Sequence, residues 1–143
     1  MSAYSPENRP GVSSFVRGGA ARMVVVGVVG WALAALFIRY ANSAGLFKGV
    51  TEIALFGLNL PVAWVSARAL RRGGGLSPNR IVPAMAICLI AALFLDGVAL
   101  TAAPWIYGTT DRTLLPAAAW LLFGVGAFLT AALLESKRDT AAA

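Results

Sequence analysis

Asp96 is the residue of this chain whose position suggests the most chemistry. It lies inside a long apolar stretch at 81–103, where a charged side chain costs about 2.5–3.5 kcal/mol on membrane-insertion scales. Two interpretations follow. Asp96 either takes up a proton or cation during a transport step, or it hydrogen-bonds to a neighbouring helix and holds the two together. A second charge nearby would favour transport, and the lack of one favours the structural interpretation.

A second polar group belongs to the apolar stretch at 51–70, where Asn59 lies between Gly57 and Pro61. Proline lacks the amide hydrogen that would bond to the carbonyl of Gly57, so we expect a kink or local unwinding there. At a rise of about 1.5 Å per residue, Asn59 and Asp96 lie at a similar depth. The sequence therefore predicts that Asp96 bonds to Asn59 or to the freed Gly57 carbonyl.

Arg39 and Glu52 are the remaining candidate pair, at the ends of the first two apolar stretches. The connection between those stretches is short, so we expect them to pack side by side as antiparallel helices. The two charges would then lie at the same membrane interface. An ion pair and two independently solvated charges fit the sequence equally well.

Other kinds of site have few residues available to them. The chain has no histidine and a single cysteine, Cys88, which excludes histidine ligation of zinc or haem and an intrachain disulfide. The triple glycine at 73–75 lacks the Lys-Ser/Thr ending of a phosphate-binding loop, so it is interpreted as a linker. No nucleophile–base pair stands out. We expect no enzymatic activity, no metal and no cofactor.

The elements that must position these residues are four apolar stretches in a chain that is 59% hydrophobic. A helix needs about 20 apolar residues to cross roughly 30 Å of hydrocarbon. The stretches lack the polar stripe of a soluble helix and the alternation of a barrel strand. The sequence predicts an all-α membrane protein in which residues 21–136 form an antiparallel bundle of four transmembrane helices. The predicted spans are about 21–38, 51–70, 81–103 and 114–134.

Lysine and arginine are distributed unevenly among the ends and loops of these spans. Three of the twelve lie on one predicted side, at Arg39, Lys48 and Arg112. The other nine precede the first span, flank the second loop or follow the fourth span. Because cytoplasmic loops are enriched in these residues, we expect both termini in the cytoplasm, with a disordered tail at 1–20 and a short tail at 137–143. The net charge of +6 then serves orientation and contact with the lipid bilayer, and we expect no nucleic-acid partner.

Several segments resemble a family of small uncharacterised bacterial membrane proteins with four spans. The resembling residues are Gly30-Trp31, 37–39, FLDGVAL at 94–100, Pro104, Tyr107-Gly108 and AWLLFGVG at 119–126. The resemblance brings no known activity. It implies a multi-pass protein of the bacterial inner membrane, and it places Asp96 within a resembling segment.

Taken together, these features predict a non-enzymatic inner-membrane protein with an accessory or structural role, acting as a homo-oligomer or in a larger membrane complex. The alternative is a small proton- or cation-coupled transporter that uses Asp96. A water-filled cavity with Asp96 on its wall would favour the transporter. A dry helix contact around Asp96 would favour the structural role.

Overall fold

The structure, a computed structural model, describes residues 19–108 and 111–138, and over these it is helical and contains no strand. The predicted tails fall largely on residues 1–18 and 139–143, which lie outside the described residues. The helices are α1 (Ala20–Ser43), α2 (Gly49–Gly73), α3 (Pro78–Ala102), the short 3-10 helix η1 (Pro104–Tyr107) and α4 (Asp111–Lys137).

The four α-helices are each long and apolar enough to cross a membrane, which confirms the predicted all-α class with four candidate spans. They extend a few residues beyond the predicted spans, as α1 does from the predicted 38 to Ser43. The difference has a simple cause. Hydropathy marks only the apolar part of a helix, whereas backbone hydrogen bonding continues through the polar residues at its ends.

Helix packing is most extensive between α1 and α3, between α2 and α4, and between α3 and α4, whereas α1 and α2 make few contacts. The expectation that the first two spans pack side by side is therefore wrong, and α2 also has only a small contact with α3. The reason lies in the helix surfaces. A side chain at Gly27 would overlap the backbone carbonyl of Cys88, so glycine lets α1 approach α3 more closely than any other residue would.

Alanine supplies much of the interior of the bundle, and many large apolar side chains face outward. Ala63, Ala67 and Ala132 are fully buried, whereas Leu33 and Phe94 are 63% and 74% exposed. This is the reverse of a soluble core and is typical of helices in lipid, where small residues allow close backbone approach.

The bundle has two ends with different composition. We call the end that carries η1 the η1 end. Its buried cluster includes Ile38, Phe47 and Tyr107. We call the opposite end, where α2 and α4 finish in basic residues, the arginine end. Its buried cluster includes Ile81 and Met85.

Proline at position 61 does not interrupt α2, which is helical from Gly49 to Gly73. The local unwinding predicted near Gly57 is therefore absent. Both Gly57 and Pro61 are exposed on the outer surface of the bundle, so neither contributes to a polar site in its interior.

Candidate functional site

Asp96 forms a hydrogen-bonded cluster with two aromatic residues at the η1 end. The chain turns at Ala103 after α3, and η1 then brings Tyr107 back against the bundle. The Tyr107 hydroxyl donates to Asp96 Oδ1 at 2.5 Å, and Trp31 Nε1 of α1 donates to the Tyr107 oxygen at 3.0 Å. Tyr107 is completely buried and Asp96 is 7% exposed. The cluster therefore ties α1, α3 and η1 together.

The donor that reaches Asp96 among the described residues is neutral, since its hydrogen bond comes from the Tyr107 hydroxyl and no ion pair forms. Burial, followed by the hydrogen bond to Asp96, raises the pKa of the Tyr107 phenol well above its usual value. The phenol therefore keeps its proton near neutral pH and acts as the donor. This arrangement satisfies the carboxyl group without an opposite charge.

The end of α1 fixes the position of η1. Asn42 Nδ2 donates to the carbonyl of Tyr107 at 3.0 Å, and Arg39 Nη1 donates to the carbonyl of Trp105 at 3.2 Å. Gly108 has a φ of 63° and lies against the Arg39 side chain. Two side chains of α1 thus bond to backbone carbonyls of η1, and they hold Tyr107 within reach of Asp96.

The predicted contact between Asp96 and Asn59 is not formed. Asn59 is buried, but its Nδ2 donates to the carbonyl of Trp120 on α4 at 3.4 Å. Trp120 Nε1 in turn donates to the carbonyl of Leu55 at 3.0 Å. Asn59 therefore links α2 to α4. The prediction compared only the depths of the two residues along their helices. It did not include the direction in which each side chain points around its helix axis, and that direction gives Asn59 and Asp96 different partners.

Arg39 and Glu52 are not brought together either. Arg39 bonds to the Trp105 carbonyl, and Glu52 makes no ion pair within the part of the chain that the structure describes. The expectation rested on α1 and α2 packing against each other, and those helices make few contacts.

A second polar cluster, centred on Glu135, lies at the arginine end. Glu135 is 5% exposed. Its carboxylate pairs with Arg71 at 3.3 Å, Arg138 at 3.5 Å and Arg68 at 4.0 Å. The indole of Trp64 lies beside two of these groups, 4.8 Å from the Arg68 guanidinium and 6.0 Å from that of Arg138. The indole adds a cation–π contact that orients them.

An open cavity of about 430 Å³ lies against this cluster. Its lining residues are Arg68, Arg71, Arg72, Gly75, Leu76, Glu135 and Arg138. Sequence reasoning treated these arginines as orientation signals and did not single out Glu135. A signal was available, because Arg68 and Arg71 are three residues apart on α2, and residues at this spacing share a helix face. Glu135 and Arg138 have the same spacing at the end of α4, with Arg138 just beyond the last helical residue.

A smaller cavity of about 190 Å³ lies at the η1 end and includes Asn42, Lys48 and Thr113 in its lining. Asp96 lines neither of these two cavities. No group of three or more Asp, Glu, Cys or His residues suited to a metal ion occurs within residues 19–108 and 111–138. The hydrogen bonds around Asp96 can thus hold helices in place. The arginines around Glu135 line an open cavity.

No known protein family, curated protein or solved structure matched this chain. Any functional conclusion therefore rests on the two clusters and on the character of the helix surfaces.

Proposed function

We propose that this chain is a non-enzymatic, multi-pass integral membrane protein with an accessory or structural role. The observation that carries the proposal is the closed environment of Asp96. Its carboxyl group is buried against Tyr107, which is itself bonded by Trp31. A transport residue has to exchange its proton or cation with water on each cycle. A carboxyl group enclosed by two aromatic side chains is better suited to fixing helix positions.

In the proposed topology the four helices alternate in direction along the chain, so that each is antiparallel to the next one in sequence, and both termini lie in the cytoplasm. Contacts between α2 and α4 rise in residue number on both helices, from Leu55 with Trp120 to Arg71 with Glu135. This order supports the same direction for α2 and α4 and the opposite direction for α3, which lies between them in sequence. The excess of arginine at the end where α2 finishes favours the cytoplasm for that end.

The bacterial inner membrane is the proposed location, as the resemblance to small bacterial four-span proteins implies. Outward-facing large side chains such as Leu33 and Phe94 would contact lipid or other copies of the chain. The proposed partners are accordingly the bilayer and either a homo-oligomer or a larger membrane complex.

Reporter fusions test the topology. A reporter that is active only outside the cytoplasm should be active after Lys48 or Arg112 and inactive after Gly74 or at the C-terminus. The opposite pattern would overturn the proposed orientation, whatever the role of Asp96.

A flux assay tests the structural role against coupled transport. Purified protein is reconstituted into liposomes that carry a pH-sensitive dye, and an imposed proton or sodium gradient is followed over time. We expect the parent protein and Asp96→Asn to leave the gradient as empty liposomes do. A flux that the parent supports and Asp96→Asn abolishes, with both proteins equally folded, would instead establish the proton- or cation-coupled transporter.

A further inference from the structure

The arginine end carries more positive charge than its negative groups neutralise. Four arginines line the cavity with one carboxylate, Glu135. The C-termini of α2 and α4 also lie here, and each contributes about −0.5 of a charge. The described groups therefore leave a net charge of about +2 around the opening, after the carboxylate and both helix ends are counted.

Hydrogen-bonding capacity shows the same excess. A guanidinium has five N–H donors, whereas a carboxylate offers about four acceptor positions. Arg68 Nε is buried and has no hydrogen-bond partner; at 4.0 Å from Glu135 it is within ion-pair distance only. Arg72 is exposed on the cavity wall and makes no ion pair with any described residue. Glu135 therefore does not account for all the donors that converge here.

The cationic groups are also held in place before any ligand arrives. Glu135 bonds to Arg71 through both its carboxylate and its backbone carbonyl, and Trp64 lies beside the guanidinium groups of Arg68 and Arg138. Side chains that are already ordered lose less conformational entropy on binding. The cavity of about 430 Å³ falls within the range of roughly 300–1,000 Å³ that small-ligand sites occupy.

We propose that the cavity bounded by Arg68, Arg72 and Arg138 binds a phosphate group, with Glu135 acting as the internal anchor that positions the arginines. Guanidinium forks match the geometry of phosphate oxygens and hold them by charge-assisted hydrogen bonds. The phosphate belongs either to an anionic lipid headgroup or to a soluble phosphoester. The site goes beyond the structural role proposed for Asp96 and does not depend on it.

Binding is measured on the full chain in a mild neutral detergent, with three probes. The first is phosphatidylglycerol, the second is phosphatidylcholine, and the third is soluble glycerol phosphate together with inorganic phosphate. Native mass spectrometry counts retained lipid, and the rise in the thermal unfolding midpoint gives the apparent affinity. If the lipid is the source, phosphatidylglycerol is retained and stabilises the protein, and the soluble anions do neither. If the source is soluble, the soluble anions stabilise the protein at least as well as the lipid does.

The variant Arg72→Gln/Arg138→Gln tests the site, since both residues line the cavity. We expect its affinity for the binding probe to fall about tenfold, the scale of losing one hydrogen bond to a charged group. The matched control is Arg22→Gln, an exposed arginine of α1 that does not line the cavity, and its affinity should equal that of the parent.

Glu135→Gln is a second test, in which the expected change in affinity has the opposite sign. It still tests the proposal if the double variant folds poorly. Gln keeps an oxygen acceptor for Arg71, and the bond from Arg71 to the backbone carbonyl of residue 135 is unchanged. The arginines therefore stay beside the cavity while the competing negative charge is removed, and binding of the same probe should strengthen. Three outcomes would overturn the proposal. The first is that no phosphate-bearing anion binds more tightly than phosphatidylcholine. The second is that Arg22→Gln weakens binding as much as the double variant does, which would indicate diffuse surface charge. The third is that Glu135→Gln weakens binding.

Discussion

Asp96 and Glu135 are both almost fully buried carboxyl residues, at 7% and 5% exposed, but they have opposite surroundings. Asp96 accepts a hydrogen bond from the neutral Tyr107 hydroxyl in a closed contact at the η1 end. Glu135 pairs with three arginines beside an open cavity at the arginine end. Burial alone therefore does not reveal the role of a carboxyl group in this bundle. The groups that contact the carboxyl indicate that role.

The difference follows from distance to the helix ends. Glu135 lies two residues from the end of α4, where long arginine side chains can extend along the helices and keep their charge near water. Asp96 lies six residues before the end of α3, at a depth where a cation would be costly. A tyrosine and a tryptophan supply donors there and add no charge of their own.

The largest expected effect comes from separating the helices that build the Asp96 cluster. A side chain at Gly27 would overlap the Cys88 backbone, so Gly27→Leu should force α1 away from α3 and remove Trp31 from Tyr107. We expect a loss of about 3 kcal/mol in the free energy of unfolding, measured by titration with a denaturing detergent. Gly30→Leu is the control, because a side chain at Gly30 meets nothing within 4 Å. Equal losses in the two variants would contradict the close contact.

Removal of the central hydroxyl should have the next largest effect. Tyr107→Phe leaves both the Asp96 carboxyl and the Trp31 indole without their hydrogen-bond partner, and we expect a loss of about 2 kcal/mol. The same unfolding titration measures it. Tyr40→Phe is a suitable control, since Tyr40 is 68% exposed and should tolerate the change. A Tyr107→Phe protein as stable as the parent would mean that water satisfies the cluster.

Replacement of the Asp96 carboxyl group should lower the free energy of unfolding less than Tyr107→Phe does. It leaves only the Tyr107 hydroxyl without a partner, whereas Tyr107→Phe leaves two groups without one. Asp96→Leu should lose about 1 kcal/mol, within the range measured for hydrogen bonds between helices in membranes. Asp96→Asn keeps an oxygen acceptor for the Tyr107 hydroxyl and should match the parent. If Asn and Leu destabilise the protein equally, the hydrogen bond is not what stabilises this end.

The smallest effect is expected at the other carboxyl group. Glu135→Gln removes the charge but keeps an oxygen acceptor for Arg71, its nearest partner. The Arg68 and Arg138 side chains are already 29% and 51% exposed, so they can turn toward water. We expect a loss below about 1 kcal/mol in the same titration, as for ion pairs with solvent access. A loss larger than that of Asp96→Leu would reverse the comparison and make Glu135 the main structural carboxyl residue.

The sequence alone determined the helical class, the four candidate spans and the burial of Asp96 and Asn59. These properties are local. Hydropathy over about 20 residues marks a span, and a polar side chain in such a span is costly toward lipid and so turns inward.

The tertiary structure decided which polar residues meet. Asp96 bonds to Tyr107, which follows α3 by way of a tight turn. Glu135 pairs with two arginines of α2 and with Arg138, which follows α4. Neither pairing follows from depth or loop length, because partner choice depends on which helix faces fit together. Gly27 is a point of close fit, where an added side chain would overlap the backbone of Cys88, a residue more than fifty positions away. Small-residue surfaces at such separations bring α1 onto α3, and the polar contacts follow from that packing.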